Sequence, residues 1–365
     1  MLPGILLVAD KLGMRFLRES GGEMIFRCPI CGEQKGHLYI DARNNVWHCA
    51  KCGAGGGVCA LVEQVLGVSH RDALQSIRKM DWSILPEPVR FFRGKTASGG
   101  SRLAPDGVRD RTYRTMLGLL RLRQKDRYSL LKRGFSRNAV ETLGFRSTPG
   151  PGKYNEDIPA SLIRAGCELS GVPGFFRKDR KWYMYCPLSG FFVPYLKDGI
   201  MEGLQIRNGD PFADRKYAWF SSSGFPEGTR AKSWIHEISF PANPRSVCLT
   251  EGALKADAAS YLTYRLTGRK IGFLALPGVS SGGKLFRDEL NKLKMAGVQE
   301  IIEAFDMDKQ GNLSVPVNNE VQKACRKVRN LILSSGFFCR PAVWESGKGI
   351  DDFLLQKMQR MKRVS

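Results

Sequence analysis

The chain has 365 residues, enough for two or three domains and a sizeable core, and 42% of them are hydrophobic, so most of it should fold. Lys and Arg number 57 against 35 Asp and Glu, a formal charge of +22 that suits a polyanion, either nucleic acid or an anionic membrane surface. No uninterrupted apolar stretch reaches spanning length, and no secretory signal is visible, so a cytoplasmic, reducing setting is expected in which paired cysteines serve as metal ligands rather than disulfides.

Residues 1–85 read as a compact small domain: a short apolar helix, a Cys- and Gly-rich centre, then two helices. Val58, Leu61, Val62, Val65 and Leu66 recur at helical spacing, and Ala73, Leu74 and Ile77 mark the second helix. The centre places Cys28, Cys31, Cys49 and Cys52 as two C-x2-C pairs separated by seventeen residues. Two residues between cysteines let one turn present both thiolates to one ion, and two such turns complete a tetrahedral, structural zinc site. Gly32 and Gly53 follow the two pairs, as tight turns require. His37 and His48 could each substitute as ligands, but four thiolates already suffice. Tyr39, Arg43 and Trp47 lie between the pairs, where they form either a stacking surface for single-stranded nucleic acid or simply the core of a small ribbon.

Residues 86–110, rich in Pro, Gly, Ser and Arg, read as a flexible basic linker. Residues 111–245 form the next part, helical to about 145 with Ser136 as an N-cap, then strand-rich with a hairpin at Lys197-Asp198-Gly199. From 246 to 345 strands alternate with helices, which implies a parallel sheet covered by helices. Residues 346–365 add a late acidic motif and a basic end. The expected fold class is thus multidomain α+β and α/β.

In the parallel sheet Glu251 ends one strand, and a later strand, expected over EIIEAFD, ends in Asp306-x-Asp308. Strand alternation points both aspartates to one side, where they repel unless something positive sits between them. All strand C-termini share one edge, so Glu251, Asp306 and Asp308 should meet there, and three carboxylates suit Mg2+. Asp351 is a candidate fourth acid on that edge, with Asp352 beside it.

Glu-Gly after one strand and Asp-x-Asp after a later one resembles the TOPRIM pattern of primases, type IA and II topoisomerases and some nucleases. The segment from CPIC through WHCAKCGAGGGVCALVEQVLG resembles the zinc-binding domain of DnaG-type primases, and GLQIRNGDPFADRKYAWFSSS resembles the segment lining their polymerase cleft. The resemblance covers residues 1–85 and roughly 180–355, with the motifs in the family's order. It implies a TOPRIM polymerase domain that makes RNA primers by metal-dependent nucleotidyl transfer. Glu251, Asp306, Asp308 and Asp351 would bind Mg2+ or Mn2+, and Arg207 and Lys216 would hold nucleotide or template phosphates. The implied partners are a single-stranded DNA template and nucleoside triphosphates, with a replicative helicase left open. Two departures stand out: Cys31 where the family usually has His, and Lys255 where many members carry an acid four residues after the catalytic Glu. No helicase-interaction domain is evident after residue 355, a layout like the compact primases of phages and mobile elements. A TOPRIM nuclease and a non-catalytic single-strand-binding accessory protein remain as alternatives.

Overall fold

A computed structural model describes residues 2–79, 101–149, 155–209, 216–279 and 284–364. The chain divides into two compact units, residues 1–121, 147–192 and 205–231 in one and 122–146, 193–204 and 232–365 in the other. The first begins with helix α1 (Ile5–Lys11) and a five-stranded antiparallel sheet in sequential order: β1 (Phe16–Ser20), β2 (Glu23–Phe26), β3 (Leu38–Asp41), β4 (Val46–Cys49) and β5 (Gly55–Gly57). Helices α2 (Val58–Leu66) and α3 (His70–Lys79) follow. One core unites Ile5 and Val8 with Leu38, Ile40, Trp47, Leu61, Val62 and Ile77. Alternation along β4 turns Trp47 and Cys49 inward and leaves Val46 and His48 exposed. The Gly-rich turn after the last cysteine has a steric cause: a Cβ on Gly55 would lie 2.8 Å from the Trp47 carbonyl oxygen.

The expected linker over 86–110 falls largely outside the described residues, but its end does not. Helix α4 spans Asp106–Leu119, so residues 106–110 are helical rather than linker. Gly107 notwithstanding, Pro105 ahead of an acidic first residue starts the helix, and α4 buries Tyr113, Met116 and Leu117 on one side. The first unit also holds α7 (Asp157–Arg164) and the hairpin of β7 (Phe175–Lys178) and β8 (Lys181–Met184). A four-stranded sheet follows the order β11 (Tyr217–Trp219), β10 (Ile200–Asn208), β9 (Gly190–Lys197), β6 (Arg146–Ser147). Asp198 and Gly199 join β9 to β10 with φ of 49° and 76°, the paired positive values of the expected tight hairpin.

The second unit starts with α5 (Gln124–Lys132) and α6 (Arg137–Thr142), the latter capped as expected by Ser136, which accepts from the Ala139 N–H at 3.1 Å. Its sheet has the order β12 (His236–Ile238), β14 (Gly272–Leu276), β13 (Ser246–Glu251), β15 (Glu300–Glu303), β16 (Phe338–Pro341). Four of these strands are parallel, and β12, from the region expected to precede this sheet, adds an antiparallel edge. Strands β13 and β14 are buried along nearly their whole length, which explains their continuous apolar runs. Helices α9 (Lys284–Met295) and α10 (Asn319–Ser334) cover one face through Phe286, Leu290, Leu293, Val328 and Ile332. Each such side chain contributes roughly 1.5–3 kcal/mol by burial. Helix α8 (Ala253–Thr267) covers the other face, where Ala256 and Ala259 allow close approach to Phe273 and Ala275, and α11 (Ile350–Val364) packs beside it through Ile350 and Leu354. The chain leaves β13 toward β14 on one side and returns to β15 on the other, so the strand order reverses between β13 and β15.

Edge strand β12 carries Glu237 against Lys197 at 3.6 Å, and Lys197 also pairs with Glu289 of α9. Burial, then the Glu289 carboxylate, pushes Glu237 from its ordinary 4.5 up to about 7. Its folded pKa is raised, so its stabilising contribution is complete below 4.5 and is lost as pH rises through about 7. Thermal melts from pH 5 to 8 should show wild-type stability falling across this window more steeply than that of Glu237→Gln; equal slopes would exclude the linkage.

Candidate functional site

Two clusters of like-charged ligands stand out. In the first unit, the sulfurs of Cys28, Cys31, Cys49 and Cys52 all lie within 4.8 Å of one another. The Cys28–Cys52 and Cys31–Cys49 separations are both 3.9 Å. Tetrahedral zinc with bonds of about 2.3 Å requires sulfur–sulfur edges of about 3.8 Å, so the four thiolates fit zinc. Both knuckles close alike, with Gly32 N–H donating to Cys28 O at 3.0 Å and Gly53 N–H to Cys49 O at 2.8 Å. Crowding by Cys31, Cys49 and Cys52, with burial, pushes the Cys28 thiol far above its ordinary range. A divalent cation removes that penalty. Neither His37 nor His48 belongs to the ligand group. His48 faces the opposite side of β4 from Cys49 and stacks on Tyr39 at 5.1 Å, while Trp47 is core, so the ribbon-core reading holds for Trp47 and not for the half-buried Tyr39.

Glu33 escaped the sequence reading. It is 3% exposed, yet its Oε1 accepts from the N–H groups of Cys28 and His37, both at 3.0 Å, and its Oε2 from Lys35 at 2.8 Å and Gly36 at 2.9 Å. Burial alone would raise its pKa, but these backbone donors hold the carboxyl below the usual range, so it stays charged and ties the first knuckle together. An acid directly after C-x-x-C-G, before a Lys-Gly turn, was the available signal.

In the second unit, Glu251, Asp306, Asp308 and Asp351 come to the C-terminal edge of the parallel sheet, at the strand-order reversal. Glu251 closes β13, and Gly252, with φ of 75°, turns the chain into α8. The Asp pair departs from expectation. Strand β15 stops at Glu303, Asp306 precedes a 3-10 turn at Met307–Lys309, and Asp308 lies within it, so strand alternation does not orient them. What orients them is the turn's anchoring: Met307 N–H donates to Lys348 O at 2.9 Å, and Asn318 N–H to Asp308 O at 2.7 Å. Lys309 is buried and reaches back to Glu303 Oε1 at 2.6 Å and to the Ala342 carbonyl at 3.0 Å, while Arg329 holds the other Glu303 oxygen at 2.5 Å.

The positive charge between the carboxylates is ammonium. Lys255, in the first turn of α8, bonds Asp306 Oδ1 and lies 3.4 Å from Glu251 Oε1. Lys348 lies 2.8 Å from Asp308 Oδ2 and 3.8 Å from Asp306 Oδ2. Asp351 is bound by Arg133 at 2.9 Å, and Asp352 instead accepts from Gly349 N–H at 3.0 Å at the start of α11. Gly349 permits the convergence, since a Cβ there would sit 2.4 Å from Asp351 Oδ1 and 3.2 Å from Lys255 Cε. Burial raises the pKa of Glu251 and of Asp351. Burial opposes the Lys255 charge, but Glu251, Asp306 and Asp351 outweigh it and hold the ammonium above its ordinary range. Among the described residues the four cysteines are the one group of three or more His, Cys, Asp or Glu ligands this tightly clustered; the acids are linked through lysines. Asp308 accepts from Lys348 through Oδ2 alone; its Oδ1 is buried without a hydrogen-bond partner, and that hard oxygen fits a Mg2+-type cation. Arg207 and Lys216 belong to the first unit. Arg207 is half-buried on β10 with its guanidinium over the Tyr217 ring at 4.8 Å, and Lys216 is exposed just before β11. Among the described residues no helix is long and apolar enough to cross a membrane.

Comparison with known proteins gives these features a context. The CHC2 zinc finger family matches residues 8–85, and a domain family of unknown function, DUF3854, matches residues 240–361. A DNA primase of Halalkalibacterium halodurans is 25% identical over 131 residues, 35% of this chain and 22% of that protein, so the match spans under a quarter of the relative. The zinc-binding and RNA polymerase domains of the Aquifex aeolicus primase match with a TM-score of 0.51 at 14% identity, covering 99% of this chain and 82% of that one. The RNA polymerase domain of the Mycobacterium tuberculosis primase DnaG, in complex with a double-stranded DNA oligomer with a 6-nucleotide overhang, matches with a TM-score of 0.50 at 16% identity, covering 72% and 80%. The chain therefore has the fold of primase zinc-binding and polymerase domains.

Glu33→Gln leaves two of the four N–H donors facing an amide nitrogen, at about 1–3 kcal/mol each. Zinc transfer to a chromophoric chelator should accelerate at least about tenfold; an unchanged rate would mean that the metal alone holds the knuckle. Lys309→Met strips the buried Glu303 carboxylate of its one buried cation and should lower stability by about 3–5 kcal/mol in denaturant unfolding, with Glu303→Gln restoring much of the loss when combined.

Proposed function

We propose that this chain is a DNA primase that joins ribonucleotides on a single-stranded DNA template. The observation that carries the reading is the union, in one chain, of a four-thiolate ribbon of tetrahedral spacing with Glu251, Asp306 and Asp308 at the strand-order reversal of a parallel sheet. That reversal is where open α/β sheets bind phosphate-bearing ligands. The complex of the Mycobacterium tuberculosis polymerase domain with an overhanging DNA oligomer supports a nucleic-acid template, as does the net charge of +22.

In this reading Glu251, Asp306 and Asp308 hold Mg2+ or Mn2+, the chemistry of which is to lower the pKa of the attacking 3′-hydroxyl and offset charge on the triphosphate. Lys348, half exposed and on a loop, is free to leave Asp308 as the site loads. Arg207 and Lys216 contact template or nucleotide phosphates. The zinc ribbon, through Tyr39 and the exposed Arg43, contacts the single strand. A replicative helicase is the further partner in this reading.

A second reading has its own observation: Lys255 and Lys348 already neutralise the acids, as a non-catalytic single-strand-binding accessory protein would allow. Primer synthesis on mixed single-stranded templates with each nucleotide set, in Mg2+ and in Mn2+, separates the two. Wild type should make oligoribonucleotides, and Asp306→Asn should reduce synthesis at least about a hundredfold with zinc content and melting temperature retained. Binding without synthesis would favour the accessory reading, and cleavage of labelled DNA without nucleotides would favour a nuclease.

A further inference from the structure

Lys255 is in an unfavourable place for a lysine. It occupies the first turn of α8, where the helix dipole favours anions, and that turn contains no acid to offset it. Its side chain is 17% exposed and its ammonium is held by Asp306 and Glu251 together, with Asp351 adding to the field. The two lysines at the acids differ in kind. Lys348 is 51% exposed and hangs from a loop, whereas Lys255 is largely covered and stands on a helix packed against the sheet and beside α11.

The charges make the consequence countable. Fully ionised, Glu251, Asp306, Asp308 and Asp351 carry four negative charges. Lys255, on α8, and Arg133, just past the end of α5, return two positive charges. What remains when Lys348 swings away is a deficit of two, the charge of one divalent cation. An acid at position 255 would instead leave a deficit of four, enough for two.

We propose that the Lys255 ammonium stands permanently in the place of a second divalent cation, so that this site takes one Mg2+ or Mn2+, at the Asp308 side. The inference rests on the primase reading of the same carboxylates and specifies how many ions they bind. Lys255 fixes Glu251 and Asp306 and offsets their repulsion, which makes it a positioning residue. Asp308, whose Oδ1 is buried without a hydrogen-bond partner and whose Oδ2 is held by the half-exposed Lys348, is where an entering cation displaces the least fixed charge.

The test is a Mn2+ titration of the full zinc-loaded chain followed by electron paramagnetic resonance. Wild type should bind a single Mn2+, and Asp308→Asn should weaken it at least about tenfold. Lys255→Asp should gain a second Mn2+. Lys255→Met, which keeps the apolar stem and so guards against misfolding of the aspartate variant, should bind its Mn2+ at least about tenfold tighter once the competing charge is gone. Two ions on wild type, or an affinity unchanged in Lys255→Met, would overturn the proposal. No Mn2+ on wild type would overturn it together with the primase reading. One ion with the expected response to Lys255 substitution, but no primers made, would uphold the ion count and sink the primase reading alone.

Discussion

The structure depends on one constraint: anions gathered in one place must be neutralised where they stand. The parallel sheet brings Glu251 and the Asp306/Asp308 turn to one edge because β13 and β15 are neighbours with their C-termini side by side. Carboxylates a few ångströms apart in a half-dry edge repel strongly enough to oppose the fold. The chain answers with Lys255 from the helix that follows β13, Lys348 from the loop before α11, and Arg133 from the end of α5, so three separate elements are drawn to the edge by charge as well as by packing.

Packing then fixes what charge recruits. Gly134, with φ of 94°, lets the chain after α5 pass within contact of Leu262 and Leu355, which brings Arg133 to Asp351. Gly349 clears the space in which Lys255, Asp306 and Asp351 meet. The buried Glu303–Lys309 pair, with the partly exposed Arg329 on the same carboxylate, secures the base of the 3-10 turn. The acids' directions are therefore set by residues that carry no chemistry of their own, and a lysine one position after Asp308 does more to aim that carboxylate than any strand alternation.

This is also where the sequence was readable and where it was not. Cysteine spacing gave the ribbon, because two tight turns around one ion leave a local signature. The order of apolar runs gave the parallel sheet and so the edge at which Glu251 and the aspartates meet. Strand β15 ends three residues before the expected Asp306, because Ala304 and Phe305 are apolar and buried yet no longer in the strand. Strand β12 was missed as part of this sheet, since His236–Ile238 is too short for alternation to reveal a partner. Lys255 was visible as an oddity, but Lys348 and Arg133 were not, because ion pairs that join distant segments leave no periodic trace. The contiguous stretch 111–245 likewise divides between both compact units, which tertiary pairing alone determines.

The two anionic clusters meet the same constraint in opposite ways, and the difference follows from their donors. Thiolates are soft and sit within the hydrophobic core of the ribbon, where Cys28 and Cys49 are both core residues, and among the described residues no salt bridge meets them, so a bound ion is what balances them. The carboxylates lie at an edge and are met by side-chain cations, so the sheet can reach its folded geometry without an ion. A closed, permanent site suits a structural role. An edge held together by lysines, one of them half exposed and replaceable, keeps its shape while a cation and its phosphate ligand come and go, which is what a site that turns over must do.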